Sequence, residues 1–131
     1  MTDPCEVNRP EVVAEVLAAF QAYECAFVSN DIATLDELFW ASPLVVRFGR
    51  GETLYGIEAI RAFRAARLTT GLMRELFNTV ITTFGRDFAT THTEFRLQDD
   101  EAHGRQSQAW ARLPAGWRIV SAHVSVLSLK P

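Results

Sequence analysis

Apolar positions recur at helical spacing through the first third of this chain and at alternate positions through its second half. Val13, Val16, Phe20, Tyr23 and Phe27 form one continuous stripe on a helix that Pro10 opens and that ends near Asn30. Asp31 then caps a short second helix whose Ile32, Leu35, Leu38 and Phe39 face inward, and Ser42-Pro43 stops it. Residues 44–48 and 53–55 read as short strands joined through Gly49, Arg50 and Gly51. Gly56 opens a third helix with Ile57, Ile60 and Phe63 on its buried side, and Arg61, Arg64 and Arg67 recur along it as a solvated face. Beyond Gly71 the pattern changes to strand over residues 72–84, 88–97, 105–113 and 117–129, with hairpin connections at 85–87, 99–104 and 114–116. The order α-α-β-β-α-β-β-β-β predicts one α+β domain over residues 1–131. A curved antiparallel sheet wraps the N-terminal helices and gapes at one end around a pocket.

The last strand carries the most detailed signal. Strict alternation puts Trp117, Ile119, Ser121, His123 and Ser125 on one side, apolar at its start and polar at its end. Such a strand suits a course from the packed interior to the mouth of a cavity. His123 is then a candidate base or pocket-wall residue, with Ser125 orienting it or a ligand. In the strand before it, Arg105 and Ser107 share one face and Gln106, Gln108 and Trp110 the other. These polar groups are either solvated at an oligomer surface or turned toward a bound polar molecule. Tyr23 is either a core tyrosine bonded to a backbone carbonyl or a donor aimed into the pocket. Arg47 interrupts an apolar strand; either a carboxylate of the protein or a substrate carboxylate answers it, and alternation leaves open which face it occupies. Trp40 lids the pocket or packs beside it.

Composition narrows the function classes. A net charge of −3 at pH 7 argues against a nucleic-acid binder, and no apolar run is long enough for a membrane span. The N-terminal residues lack a secretory pattern, so the expected compartment is the cytoplasm. Cys5 and Cys25 have no metal-like spacing; Cys25 reads as an inert packed thiol. His92 and Glu94 would need a third converging ligand to hold a metal, so no metal or other cofactor is expected.

The segments 46–49, 55–57, 63–67, 81–89, 104–110 and 116–125 together resemble the AtzH-like family, associated with oxalurate and cyanuric acid catabolism, within the nuclear transport factor 2-like superfold. The most specific of them are Gly104-Arg105-Gln106-Ser107-Gln108 and the run from Thr82 to Ala89. The resemblance implies a cone-shaped, cystatin-like α+β barrel, a homodimer formed through the outer sheet face, and a small-molecule pocket at the open end. It implies a cofactor-free decarboxylating amidohydrolase that converts 1,3-dicarboxyurea to allophanate, a small anionic ureido acid being the substrate and an amidase the functional neighbour. The catalytic pair it implies corresponds to Tyr23 and Arg47, both pointing inward. Trp40, Ser107, Gln108, His123 and Ser125 are the expected substrate-binding residues. Two other classes remain: a non-catalytic carboxylate-binding or accessory protein of an amidase operon, and an isomerase or dehydratase using a carboxylate or histidine of the barrel strands.

Overall fold

A computed structural model describes residues 6–67, 72–98 and 102–127. Three helices precede or interrupt six strands: α1 (Pro10–Val28), α2 (Ile32–Leu38), β1 (Val46–Phe48), β2 (Thr53–Tyr55), α3 (Ile57–Ala66), β3 (Arg74–Phe84), β4 (Phe88–Leu97), β5 (His103–Leu113) and β6 (Gly116–Leu127). The predicted α+β order holds. Cys5 and the predicted strand end beyond residue 127 lie outside the described residues.

Local chemistry accounts for the element ends. Asp31 accepts from the Thr34 backbone N–H at 3.2 Å and from its hydroxyl at 2.7 Å, which starts α2. Gly56, at φ +86°, turns the chain into α3 against the Pro43 carbonyl, a conformation that a side chain would strain. Val12, rather than the expected Val13, joins Val16, Phe20, Tyr23, Ala26 and Phe27 on the buried face of α1.

All six strands form one curved, unclosed sheet in the order β2-β1-β6-β5-β4-β3. The four long strands are antiparallel neighbours, but β1 lies parallel to β6, pairing Arg47 with Ala122. This departs from the expected all-antiparallel sheet. Between the helices and the concave face, Leu35, Phe39, Val45, Ile60, Trp110 and Ile119 are each almost fully removed from water. The Trp110 Nε1–H donates to Thr91 Oγ1 at 3.1 Å, so the indole's polar group is satisfied inside that core. No helix among the described residues is long and apolar enough to cross a membrane.

One irregularity in β6 decides what the sheet presents on each side. Trp110 pairs with Ile119, but its neighbour Ala109 pairs with Ser121, so Val120 is an extra residue opposite a continuous β5. This β-bulge shifts the alternation by one position. Trp117 and Ile119 point inward before it; Ala122, Val124 and Val126 point inward after it.

Candidate functional site

Arg47 occupies the inner face of β1, only 5% exposed, next to fully buried Val45, while Leu44 is open to solvent. The alternation had left that face open; the parallel pairing with β6 fixes it. Its Nη1 reaches Glu52 Oε1 at 2.6 Å, and its guanidinium lies 5.4 Å from the centre of the Phe63 ring. Glu52 also accepts from the Gly51 backbone N–H at 3.1 Å. Room for this pair comes from Gly49. A Cβ there would overlap the Glu52 carboxylate and lie 2.9 Å from Arg47 Nη1.

Tyr23 is 2% exposed, with Phe27 stacked at 6.3 Å and Phe39 edge-on at 6.2 Å. Its hydroxyl takes a long hydrogen bond of 3.5 Å from Arg64 Nη2. Arg64 is 1% exposed, which corrects the expectation that Arg61, Arg64 and Arg67 form a solvated face. A three-residue repeat does not keep to one side of a 3.6-residue helix, so Arg61 remains exposed while Arg64 turns into the core. There the guanidinium lies over the Tyr23 and Phe39 rings. Its nearest carboxylate oxygen, Asp36 Oδ1, is 4.0 Å away, and Nε and Nη1 make no hydrogen bond. Burial alone would push the Tyr23 phenol up. The charges of Arg64, Arg47 and Arg74 outweigh it, and with the Arg64 hydrogen bond they hold the phenol below its ordinary value of 10.0.

Beside this cluster opens a cavity of about 210 Å³, lined by Arg47, Arg50, Glu52, Arg67, Arg74 and Gln106 among apolar Phe27, Phe63, Leu72, Phe95, Leu97, Val124 and Val126. Tyr23 and Arg64 are not part of this lining; Phe27, Arg47 and Arg74 lie on it and also act on Tyr23. Arg74 donates from Nε to Glu24 Oε2 at 3.1 Å and from Nη2 to Glu24 Oε1 and to Gln106 Oε1. It lies between the Phe27 and Phe95 rings, 4.0 and 4.6 Å from their centres. Gly104, opposite Phe95 in the β4–β5 register, has no side chain, and the Phe95 ring occupies the space a Cβ would take.

The remaining site residues expected from sequence fall elsewhere. His123 and Ser125 sit on the outer face, because the bulge at Val120 reverses the side on which they emerge. His123 packs edge-on against Phe48, and Ser125 accepts from Arg105 Nε at 3.3 Å. Ser107 is exposed and bonds His92 Nδ1 at 2.8 Å; alternation cannot send it and Gln108 to the same side. Gln108 does point inward, accepting from Thr91 Oγ1 at 3.1 Å, yet Gln106 is the amide on the cavity wall. Trp40 lines a separate hollow with Asp36, Glu37, Arg61 and Arg118. Cys25 is exposed rather than packed. Glu94 bonds Asn78 and His103, not His92.

Sequence reasoning missed Glu24, Glu52 and Arg74, took Arg64 and Arg67 as solvated, and weighed Gln106 without assigning it to the site. Gln106 was legible, since it shares the inner face with Trp110. Glu52 was too, five residues from Arg47 across a tight turn. Arg74 was hidden at the start of a strand, beside Glu75, where it reads as a solvated charge.

A model of the AtzH-like family matches residues 5–130. Among curated proteins, none matches the chain. A crystal structure of a protein of unknown function from Pectobacterium atrosepticum shares 55% identity at a TM-score of 0.96, over 98% of this chain and 100% of its own. A cystatin-like fold protein from Burkholderia xenovorans shares 51% identity at 0.91, over 95% and 98%. A nuclear transport factor 2-like protein of unknown function from Pseudomonas putida shares 18% identity at 0.75, over 93% and 92%, a likeness of fold alone. The fold is nuclear transport factor 2-like, and the chain belongs to the AtzH-like family.

Proposed function

We propose that the protein is a cofactor-free decarboxylating amidohydrolase that converts 1,3-dicarboxyurea to allophanate, with Tyr23 and Arg47 as its catalytic pair. The observation that carries this reading is the Tyr23 phenol, held by Arg64 in the field of Arg47 and Arg74 beside a small basic cavity. A planar dianion suits such a cavity, because guanidinium forks match carboxylates in two-point contact. The C–N bond to one carboxylate breaks, its electron pair passes to nitrogen, and nitrogen takes the Tyr23 proton, a transfer that requires the bound substrate to reach past the lining to the buried phenol. Carbon dioxide leaves, the allophanate monoanion remains, and water returns a proton to the phenolate. A phenol held below its ordinary value gives up that proton more readily, and nearby guanidiniums stabilise the phenolate that follows. Phe27, Phe63, Phe95, Val124 and Val126 limit water around the leaving carboxylate.

The reading also includes a cytoplasmic homodimer, formed through the outer sheet face and working beside an amidase. On the strands, Val80, Phe84, Phe88 and Leu127 keep large exposed apolar surface that supports such an association. A second reading, an anion-binding accessory protein, draws on the carboxylates that already close Arg47 and Arg74. The test is carbon dioxide release from 1,3-dicarboxyurea, measured against its spontaneous rate. Acceleration that falls at least about 100-fold in both Tyr23→Phe and Arg47→Ala supports catalysis. No acceleration by the intact protein overturns it, and saturable binding without turnover favours the accessory reading.

A further inference from the structure

The four guanidiniums around Tyr23 differ in how their charge is met. Arg47 has Glu52 at 2.6 Å, and Arg74 has Glu24 and Gln106. Arg64 bonds the phenol from behind the cavity wall. Arg67 lies on the wall, and no carboxylate among the described residues pairs with it. Its Nη2 donates to the Asn30 side-chain oxygen at 3.4 Å, its buried Nε has no partner, and the Phe27 ring holds it at 4.9 Å.

We propose that Arg67 is the specificity-determining residue for a second negative charge, so that the cavity selects dianions over monoanions of similar size. This rests on the reading that the cavity binds a small carboxylated anion, and it does not require that the anion be turned over. Glu52 already offsets the charge of Arg47, so an anion there gains chiefly geometry from the fork. Arg67 is different. Burial, then the like charges of Arg64, Arg47 and Arg74, lower its pKa, so its cationic form is held against an opposing field. An anionic group arriving beside its guanidinium relieves that field. The Phe27 contact aligns the fork beforehand, which reduces the ordering needed on binding. A cavity of about 210 Å³ is small enough that an anion anchored at one wall carries its far end to the other.

Calorimetric titration with glutarate, a dianion that cannot undergo the carbamate cleavage, and with butyrate, its monoanionic counterpart, tests the assignment. The intact protein prefers glutarate by about tenfold or more, the scale of one charge-assisted contact. Arg67→Gln brings the two affinities to within about twofold by weakening glutarate far more than butyrate. Arg67→Lys keeps the charge and retains part of the preference, which separates charge from any general effect on folding. The proposal is overturned if Arg67→Gln keeps the wild-type preference, or if the intact protein does not prefer glutarate or binds neither anion. Failure of decarboxylation alone, with the preference intact, removes the catalytic reading and leaves Arg67 as assigned.

Discussion

Replacing Gly49 by alanine tests whether the buried Arg47–Glu52 pair organises the cavity. Gly49 does not have a positive φ, so its backbone accepts alanine and only space is at issue. The added methyl overlaps the Glu52 carboxylate, which ends a flexible side chain and swings away. The cost is therefore electrostatic rather than steric: Arg47 loses its partner. Removing one member of a fully buried pair costs about 3–5 kcal/mol. The Glu52 side chain is 19% exposed, so water reaches the gap and the expected loss falls to about 2 kcal/mol. For a domain of this size that lowers the melting temperature by about 8 °C. Because the freed guanidinium then accepts an external anion, glutarate raises the melting temperature of Gly49→Ala more than that of the wild type. Glu52→Gln, which removes charge without adding bulk, shifts both quantities in the same direction. Unfolding scans with and without glutarate decide it. An unchanged melting temperature, or an equal glutarate response in variant and wild type, refutes the reasoning.

Two further outcomes follow from the Tyr23 cluster. Arg64→Met exchanges a buried guanidinium with two unbonded nitrogens for a similar apolar volume, and the Asp36 side chain it leaves is 22% exposed, although its Oδ1 is buried. Stability in urea therefore stays within about 1 kcal/mol of wild type or rises, while carbon dioxide release falls; a loss of several kcal/mol would show that Arg64 is mainly structural. The second concerns pH. Because the fold lowers the Tyr23 pKa, the native state binds fewer protons than the unfolded chain between that lowered value and 10.0. The stability of wild type relative to Tyr23→Phe thus rises with pH across this window. The increment is full above 10.0 and lost as pH falls through the lowered value, and a pH-independent difference in urea series rules it out.

The helices and hairpins were readable because their signals are local: the α1 stripe, the Asp31 cap, and glycines at turns. The inward face of Arg47 was not, since it depends on a parallel partner more than 70 residues away. Arg64 was misread because an arginine row suggests solvent, whereas Tyr23 and Phe39 supply aromatic faces that accommodate a buried guanidinium. His123 and Ser125 were misplaced for a different reason. Their own alternation is regular, and only the pairing with β5 reveals the extra residue at Val120.

That extra residue makes the lining of the chamber a matter of parity. A one-residue slip of β6 that drew Val120 into the ladder opposite Ala109 would carry everything C-terminal to it across the sheet, bringing the imidazole and hydroxyl of His123 and Ser125 indoors and sending Val124 and Val126 out. Such a slip would exchange a greasy wall for a protic one while leaving the helices and their arginines in place, whereas deleting Val120 would only straighten the strand and keep the present lining. In this architecture, new chemistry need not await new side chains, because a slip in phase can recruit those already present.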